Sequence, residues 1–201
     1  MTLVACLTVT NRPEWSPFCR YQVGKQIGFS DAKHIIISQH GASIATLRCY
    51  AMAEAVAVRA KYVAWFDDDD WSSPQRLMQG VSALEDNPAL AAFGNVRSWF
   101  IAADTRQGLE YQAPEGIIFN GAVFRLDRVP IEFAVGLTVG EDTDWLARFH
   151  RTRPSYFITG HYMHAWLCHR RNITNRSDTK AFDMTPPVLL TKTEWDLVPR
   201  W

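Results

Sequence analysis

The chain has 201 residues with 21 basic and 21 acidic side chains, so its formal net charge is zero and no global field draws it to a polyanion or an anionic membrane. At 47% hydrophobic and 21% charged it has the composition of a globular protein, with enough length for one domain and a real core. Cys6, Cys19, Cys49 and Cys168 form no C-x-x-C pair and no apolar run approaches a membrane span or a secretory leader, which argues against a zinc knuckle, a disulfide framework and export, and for a cytoplasmic protein with reduced thiols.

Residues 3–10 read as a first strand, which Asn11-Arg12-Pro13 breaks before a helix running to about Ile27. Residues 34–38 form a second short strand. Ser43 then caps a long alanine-rich helix over residues 44–60, with Arg48 near its start, where a surface arginine is the plain reading.

Residues 61–74, KYVAWFDDDDWSSP, are the stretch around which the chain is organised. Residues 62–66 are apolar throughout and bounded by charge, as an inner strand of a parallel sheet should be. Four carboxylates follow, Asp67 to Asp70, and then Ser73 and Pro74 as N-cap and first residue of the next helix. The acids therefore sit on a strand-to-helix turn at the carboxyl edge of a sheet, where open α/β sheets bind ligands. A pair of carboxylates ~4 Å apart costs about 1 kcal/mol in bulk water and about 4 kcal/mol at an effective dielectric near 20. A hard divalent cation would relieve that repulsion; a solvated acidic turn is the bland alternative. An EF-hand fits poorly, because Trp71 stands where a third alternating ligand belongs.

The order strand, helix, strand, helix, strand predicts a parallel sheet with right-handed crossovers, so Thr10, Ser38 and Asp67 should converge on one edge. No G-x-G-x-x-G follows the first strand, which disfavours a dinucleotide-binding domain. Leu77, Val81 and Leu84 keep helical spacing until Asp86-Asn87-Pro88. Residues 89–101 read as a strand or hairpin arm, 103–115 as an exposed polar loop, and 116–125 as two strand pieces around Asn120-Gly121.

Gly140-Glu141-Asp142-Thr143-Asp144-Trp145 opens a helix whose apolar face is Trp145, Leu146 and Phe149. Acids at a helix start gain about 0.3–1 kcal/mol each from the dipole, which accounts for them without any function. Residues 156–159 read as a strand. From 145 to 177 there is no acid, but six arginines (148, 151, 153, 170, 171, 176) and four of the six histidines (150, 161, 164, 169). In a chain of zero net charge this is a local positive face suited to a diphosphate, an acceptor phosphate or a nucleic-acid backbone. Residues 1–201 read as a single domain, with 180–201 a tail packing on it.

WFDDDDWSSPQRL resembles the hydrophobic-strand, D-x-D-D, W, P, L signature of family-two, GT-A-type glycosyltransferases, and GEDTDW with Arg148 resembles that family's G-E-D-x-D-W-x-x-R. The two motifs stand in the family's order, and the resemblance covers about residues 3–175. It implies a single α/β GT-A-type domain with a mostly parallel sheet flanked by helices. It implies inverting, metal-dependent transfer of a sugar from a nucleotide-sugar to an acceptor hydroxyl.

Carried over by position, Thr8, Thr10, Asn11 and Arg12 hold the base, and Arg48 faces the nucleotide. Asp67, Asp69 and Asp70 bind Mn²⁺ or Mg²⁺, with Asp68 beside them on the donor. Asp142 is the general base, with Glu141 close by. His169-Arg170-Arg171-Asn172 resembles an H-x-x-N element that supplies a metal or phosphate contact, which makes His169 a candidate metal ligand and Arg170 and Arg171 candidate phosphate contacts; among the other histidines of the acid-free stretch, His164 is the second candidate ligand. Ser38-Gln39-His40-Gly41 stands where the family has an Asp that touches the nucleoside, so the base stays open, with a UDP-sugar as the expected donor. The implied acceptors are polysaccharide or lipid-linked glycan. Two alternatives accompany them: a phage-type enzyme acting on a hydroxymethylated DNA base, and a non-catalytic module that binds nucleotide or glycan. A metal-dependent nucleotidyl- or phosphotransferase lacks its glycine-rich loop here.

Overall fold

The computed structural model describes residues 3–29, 32–39, 41–113, 116–137, 140–152, 154–168 and 190–199. Its main sheet has six strands in the order β2-β1-β3-β8-β5-β9: β1 Val4–Val9, β2 Lys33–Ile37, β3 Tyr62–Trp65, β5 Ala92–Asn95, β8 Val123–Arg125 and β9 Tyr156–Thr159. β1 pairs parallel with β2 and β3, and β5 with β9. β8 alone runs the other way, antiparallel to both β3 and β5. The expected, mostly parallel α/β sheet is thus present, with one reversed strand at its centre.

Period-two alternation sends the strands' side chains to two cores. Ala5, Leu7, Val63 and Trp65 face α2 (Ile44–Ala57) and α4 (Glu141–Arg151), where they meet Leu47, Met52, Trp145 and Phe149. Val4, Cys6, Tyr62 and Ala64 face the opposite way, toward Leu77, Val81 and Leu84 of α3 (Arg76–Asp86). Ser43 caps α2 as expected, its Oγ accepting from Thr46 N at 3.2 Å.

A second sheet, order β4-β10-β6-β7, consists of β4 Asp70–Ser72, β10 His164–Cys168, β6 Arg97–Ala102 and β7 Gly108–Gln112. Trp71, Trp99, Ile101, Ala165 and Leu167 pack from it onto Trp15 and Phe18, at the start of α1 (Ser16–Gly24). β4 is an edge strand, and side chains of α1 and the turn after it take the place of its missing neighbour. Gln22 Oε1 accepts from Ser72 N at 2.9 Å, and Gln26 Nε2 donates to the Ser73 carbonyl at 2.9 Å. Gln22 also donates to Glu194 of α5 (Lys192–Leu197) at 3.2 Å, and Glu194 pairs with Lys25. Within the expected tail, the described residues thus dock on α1.

Several expectations are corrected. The acids do not run straight into a helix, because Asp70 begins β4. α3 starts at Arg76, and Ser73 Oγ caps the turn before it, accepting from Gln75 N at 3.3 Å. A one-turn 3-10 helix, Pro13–Trp15, precedes α1, which stops at Gly24. The stretch 103–115 contains β7, because alternation in GLEYQ lets it pair with β6. Residues 89–101 split between the two sheets. Of the two strand pieces expected around Asn120-Gly121 only β8 is a strand; Phe119–Gly121 is a 3-10 turn. Among the described residues no helix is long and apolar enough to cross a membrane.

Candidate active site

The carboxyl edge of the main sheet gathers the site. β1 delivers Thr10 and Arg12 there, and β3 delivers Asp67 and the acids after it. Because β8 is reversed, it brings the turn before it, Phe119–Gly121, to that same edge. A Cβ at Gly121 would collide with Asn95 Oδ1, so only glycine lets the turn sit this close to β5.

The four acids share the edge but have different partners. Asp68 takes the Thr10 hydroxyl and the Arg12 guanidinium, with Arg12 Nε at 3.3 Å from Oδ2. Asp69 accepts from Arg12 Nη1 at 2.8 Å. Asp67 accepts from Asn120 Nδ2 at 2.6 Å and lies 3.5 Å from Arg48 Nη2. Asp70 meets His164 Nε2 at 2.8 Å and Asn120 Nδ2 at 3.4 Å.

The His164 network assigns a proton. Ser98 Oγ donates to the His164 carbonyl at 2.6 Å, so its oxygen receives Nδ1–H at 3.1 Å. One proton lies between Nε2 and Asp70 Oδ2 at 2.8 Å, and a pair this buried favours its neutral form. The electrostatics agree: burial, then Asp69, Asp67 and Asp68, hold Asp70 well above the usual carboxylate range, and burial followed by Arg76 holds His164 well below the usual imidazole range. Burial and Asp69 push Asp68 up to about 7 against the pull of Arg12. Asp67 is also raised, by burial first; Arg48 opposes this, and Asp69 and Asp142 add to it.

These shifts set a pH dependence. An unfolded Asp titrates near about 4, so between that pH and about 7 the folded state holds a proton at Asp68 that the unfolded state has lost, and stability falls as pH rises. Asp67 and Asp70 act in the same direction, whereas His164 opposes only below an unfolded histidine's pKa of about 6.5. In chelator, the melting temperature is expected to fall between pH 6.5 and 8. A rise across that window would contradict the assignment.

The second motif comes to the first. Gly140, at φ 79°, makes the left-handed turn into α4. This places Glu141, which is buried, 3.6 Å from Arg48 Nε. Asp142 follows, partly exposed, its Oδ1 accepting from Thr143 N at 2.7 Å, and its charge is felt at Asp67. Arg48 is no surface arginine: it is 4% exposed, lies between Asp67 and Glu141, and sits over the rings of Phe119, Trp65 and Phe133 at 4.9, 5.3 and 5.7 Å.

Other expected residues fall elsewhere. The Thr8 hydroxyl is buried, donates to the Phe66 carbonyl at 2.7 Å and lies 3.1 Å from both Cys19 Sγ and His34 Nε2, so it joins scaffold to scaffold. Asn11 is exposed at the edge. Arg148 pairs with Asp144 at 2.9 Å and donates to the Glu132 carbonyl at 2.8 Å, fixing the loop before α4. His169, Arg170 and Arg171 lie outside the described residues, as do Arg153 and Arg176 of the acid-free stretch. Asn120 was missed: N-G reads as a turn, and nothing local says that the turn arrives beside the acids.

Among the described residues, no three His, Cys, Asp or Glu side chains already converge as a metal cage. Arg12, Arg48, Asn120 and His164 each hold an acid instead. The donor chemistry nevertheless fits a hard divalent cation. Buried carboxylates raise one another's affinity for protons, and a cation replaces protons at such oxygens.

The family description "Glycosyl transferase family 2" matches residues 34–136, which include the acids and Asn120 but stop before α4. The chain is similar to Staphylococcus aureus TarS 1–349 in complex with UDP-GlcNAc, at TM-score 0.61 and 12% identity over 86% of this chain and 60% of that one. Against the same protein with UDP the TM-score is 0.60, at 12% identity over 84% and 61%. Against a further TarS crystal structure it is 0.57, at 11% identity over 84% and 37%. The chain thus spans about three fifths of TarS 1–349, and identity this low speaks to the fold alone. No curated protein matches the chain in sequence.

Proposed function

Because the chain belongs to glycosyl transferase family 2, we propose that it transfers a sugar, with inversion, from a nucleotide-diphosphate donor to an acceptor hydroxyl. The observation that carries this reading is the meeting of two acidic motifs far apart in sequence. Asp142 lies within electrostatic reach of Asp67, and Arg48 stands between Asp67 and Glu141.

Inverting transfer needs charge neutralised on the leaving diphosphate and a base for the incoming hydroxyl. A divalent cation at Asp67, Asp69 and Asp70, Mn²⁺ or Mg²⁺, would supply Lewis-acid neutralisation of the leaving group. Arg12 holds Asp68 and Asp69 in place before the donor arrives and puts a fixed positive charge at the diphosphate edge. Asp142 takes the acceptor proton. It is partly exposed and Asp144 is taken by Arg148, whereas Glu141 is buried against Arg48 and orients the helix start.

The TarS complexes hold UDP and UDP-GlcNAc, which makes UDP-sugars the first donors to try. Incubation with labelled UDP-sugars and Mn²⁺ should release or transfer sugar. Binding without turnover would leave a non-catalytic module, and pyrophosphate chemistry a nucleotidyltransferase.

For the acceptor, one face of the second sheet favours a glycan. Trp166 stands in register with Asp70, stacks on Phe100 at 4.5 Å and takes Tyr111 edge-on at 5.4 Å. Such rings match the C–H face of a pyranose. With a glycan acceptor, Trp166→Ala is expected to raise the acceptor KM by about 2- to 10-fold, from the ~0.5–1.5 kcal/mol typical of aromatic pairs, with donor KM unchanged. A donor-side effect of equal size would place the ring elsewhere in the reaction.

A further inference from the structure

The acids around Asp67 have a neutral companion. Asn120 is 4% exposed, and its Nδ2 lies 2.6 Å from Asp67 Oδ2 and 3.4 Å from Asp70 Oδ2. Its Oδ1 is buried and has no hydrogen-bond partner among the described residues. An amide oxygen left unpaired in the interior costs about 1–3 kcal/mol, so such an atom calls for a reason. Two strong acceptors attract the N–H side of the amide, which leaves the oxygen facing protein.

The turn that carries Asn120 is held by its neighbours. The Ile118 N–H donates to the Asn95 carbonyl at 2.9 Å, Phe119 stacks on Trp65 at 5.6 Å, and Gly121 lies against the Asn95 side chain. The amide plane is the part that can turn. With a cation at Asp67 and Asp70 the reason for its present orientation reverses: the carboxylates are neutralised, and a hard cation attracts amide oxygen as readily as carboxylate.

We propose that Asn120 is a cation-responsive ligand, donating between Asp67 and Asp70 before the cation binds and presenting Oδ1 to the cation afterwards. This rests on the metal-dependent reading above and adds to it a residue outside both acidic motifs. It assigns a purpose to the unpaired oxygen and explains how an edge without a ready-made cage becomes one.

The test is Mn²⁺ binding to the full chain, by electron paramagnetic resonance with and without UDP, for wild type, Asn120→Ala and Asn120→Asp. Asn120→Ala is expected to weaken Mn²⁺ by at least the roughly 10–100-fold typical of residues that only support a ligand. Asn120→Asp supplies a carboxylate oxygen at the same place. It is expected to bind Mn²⁺ at least as tightly as wild type while melting lower in chelator, because a fifth acid joins the cluster. A merely structural amide would make both variants lose Mn²⁺ alike, and that overturns the proposal. So does an Asn120→Ala affinity within about twofold of wild type. Wild type that binds no Mn²⁺ overturns it as well, and labelled sugar release in chelator then shows separately whether glycosyl transfer survives as a reading.

Discussion

Asp142→Asn is expected to lower turnover by about 10²–10⁴-fold while donor affinity stays nearly unchanged, because general-base catalysis contributes on that scale and only in the transition state. The amide keeps the shape and the acceptor oxygen toward Thr143 N, so the start of α4 should survive. Glu141 cannot stand in, since it is buried against Arg48. Steady-state kinetics with a working acceptor, together with a binding isotherm for UDP, check this. Near-normal turnover would return Asp142 to the role of a carboxylate at a helix start, favourable there by about 0.3–1 kcal/mol and nothing more.

The second large effect concerns the cation. Mn²⁺ is expected to tighten nucleotide-sugar binding to the wild type, and Asp67→Asn and Asp69→Asn are expected to weaken that gain beyond the roughly 10–100-fold typical of residues that only support a ligand. The two variants should also differ. Asp69→Asn takes one acid from Arg12 and leaves Asp68 on it, whereas Asp67→Asn removes the acid that both Arg48 and Asn120 approach. Without cation, Asp67→Asn relieves repulsion from Asp69 and Asp142 at a partly exposed acid but takes a carboxylate from the buried Arg48. Nucleotide-sugar affinity that ignores both excess chelator and these substitutions would remove the metal from the mechanism.

How much of this was legible beforehand depends on how local each signal is. The strand Tyr62–Trp65 and the acids after it could be read from a short window, because an unbroken apolar run followed by charge admits few other placements. So could the start of α4, where glycine, two acids and helical spacing agree. Partners could not be read. Arg48 looks like any helix arginine until Trp65, Phe119, Phe133 and Glu141 close around it from four other segments. Arg12, expected at the nucleotide base, is held by Asp68 and Asp69. Asn120 was hidden by topology: its place at the carboxyl edge follows only from the reversal of β8, and a three-residue strand, Val123-Phe124-Arg125, carries no direction. β7 was misread because its alternation is written in polar and glycine-containing sequence that resembles a loop.

The reversal of β8 also governs how the molecule assembles. Val123–Arg125 joins β3 on one side and β5 on the other, so without it the sheet is two separate ribbons, β2-β1-β3 and β5-β9. Each ribbon is held by parallel pairing across a crossover, and the seam between them is a strand whose partners lie 30 to 63 residues earlier in the chain, so joining them closes long loops. The turn bearing Asn120 travels with that seam. The acid edge and the sheet are thus completed by the same strand, and parting β8 from β3 would separate the aspartates from their amide. Amide exchange of Val123 and Phe124 in step with global unfolding, rather than with local opening, is the signature of that coupling.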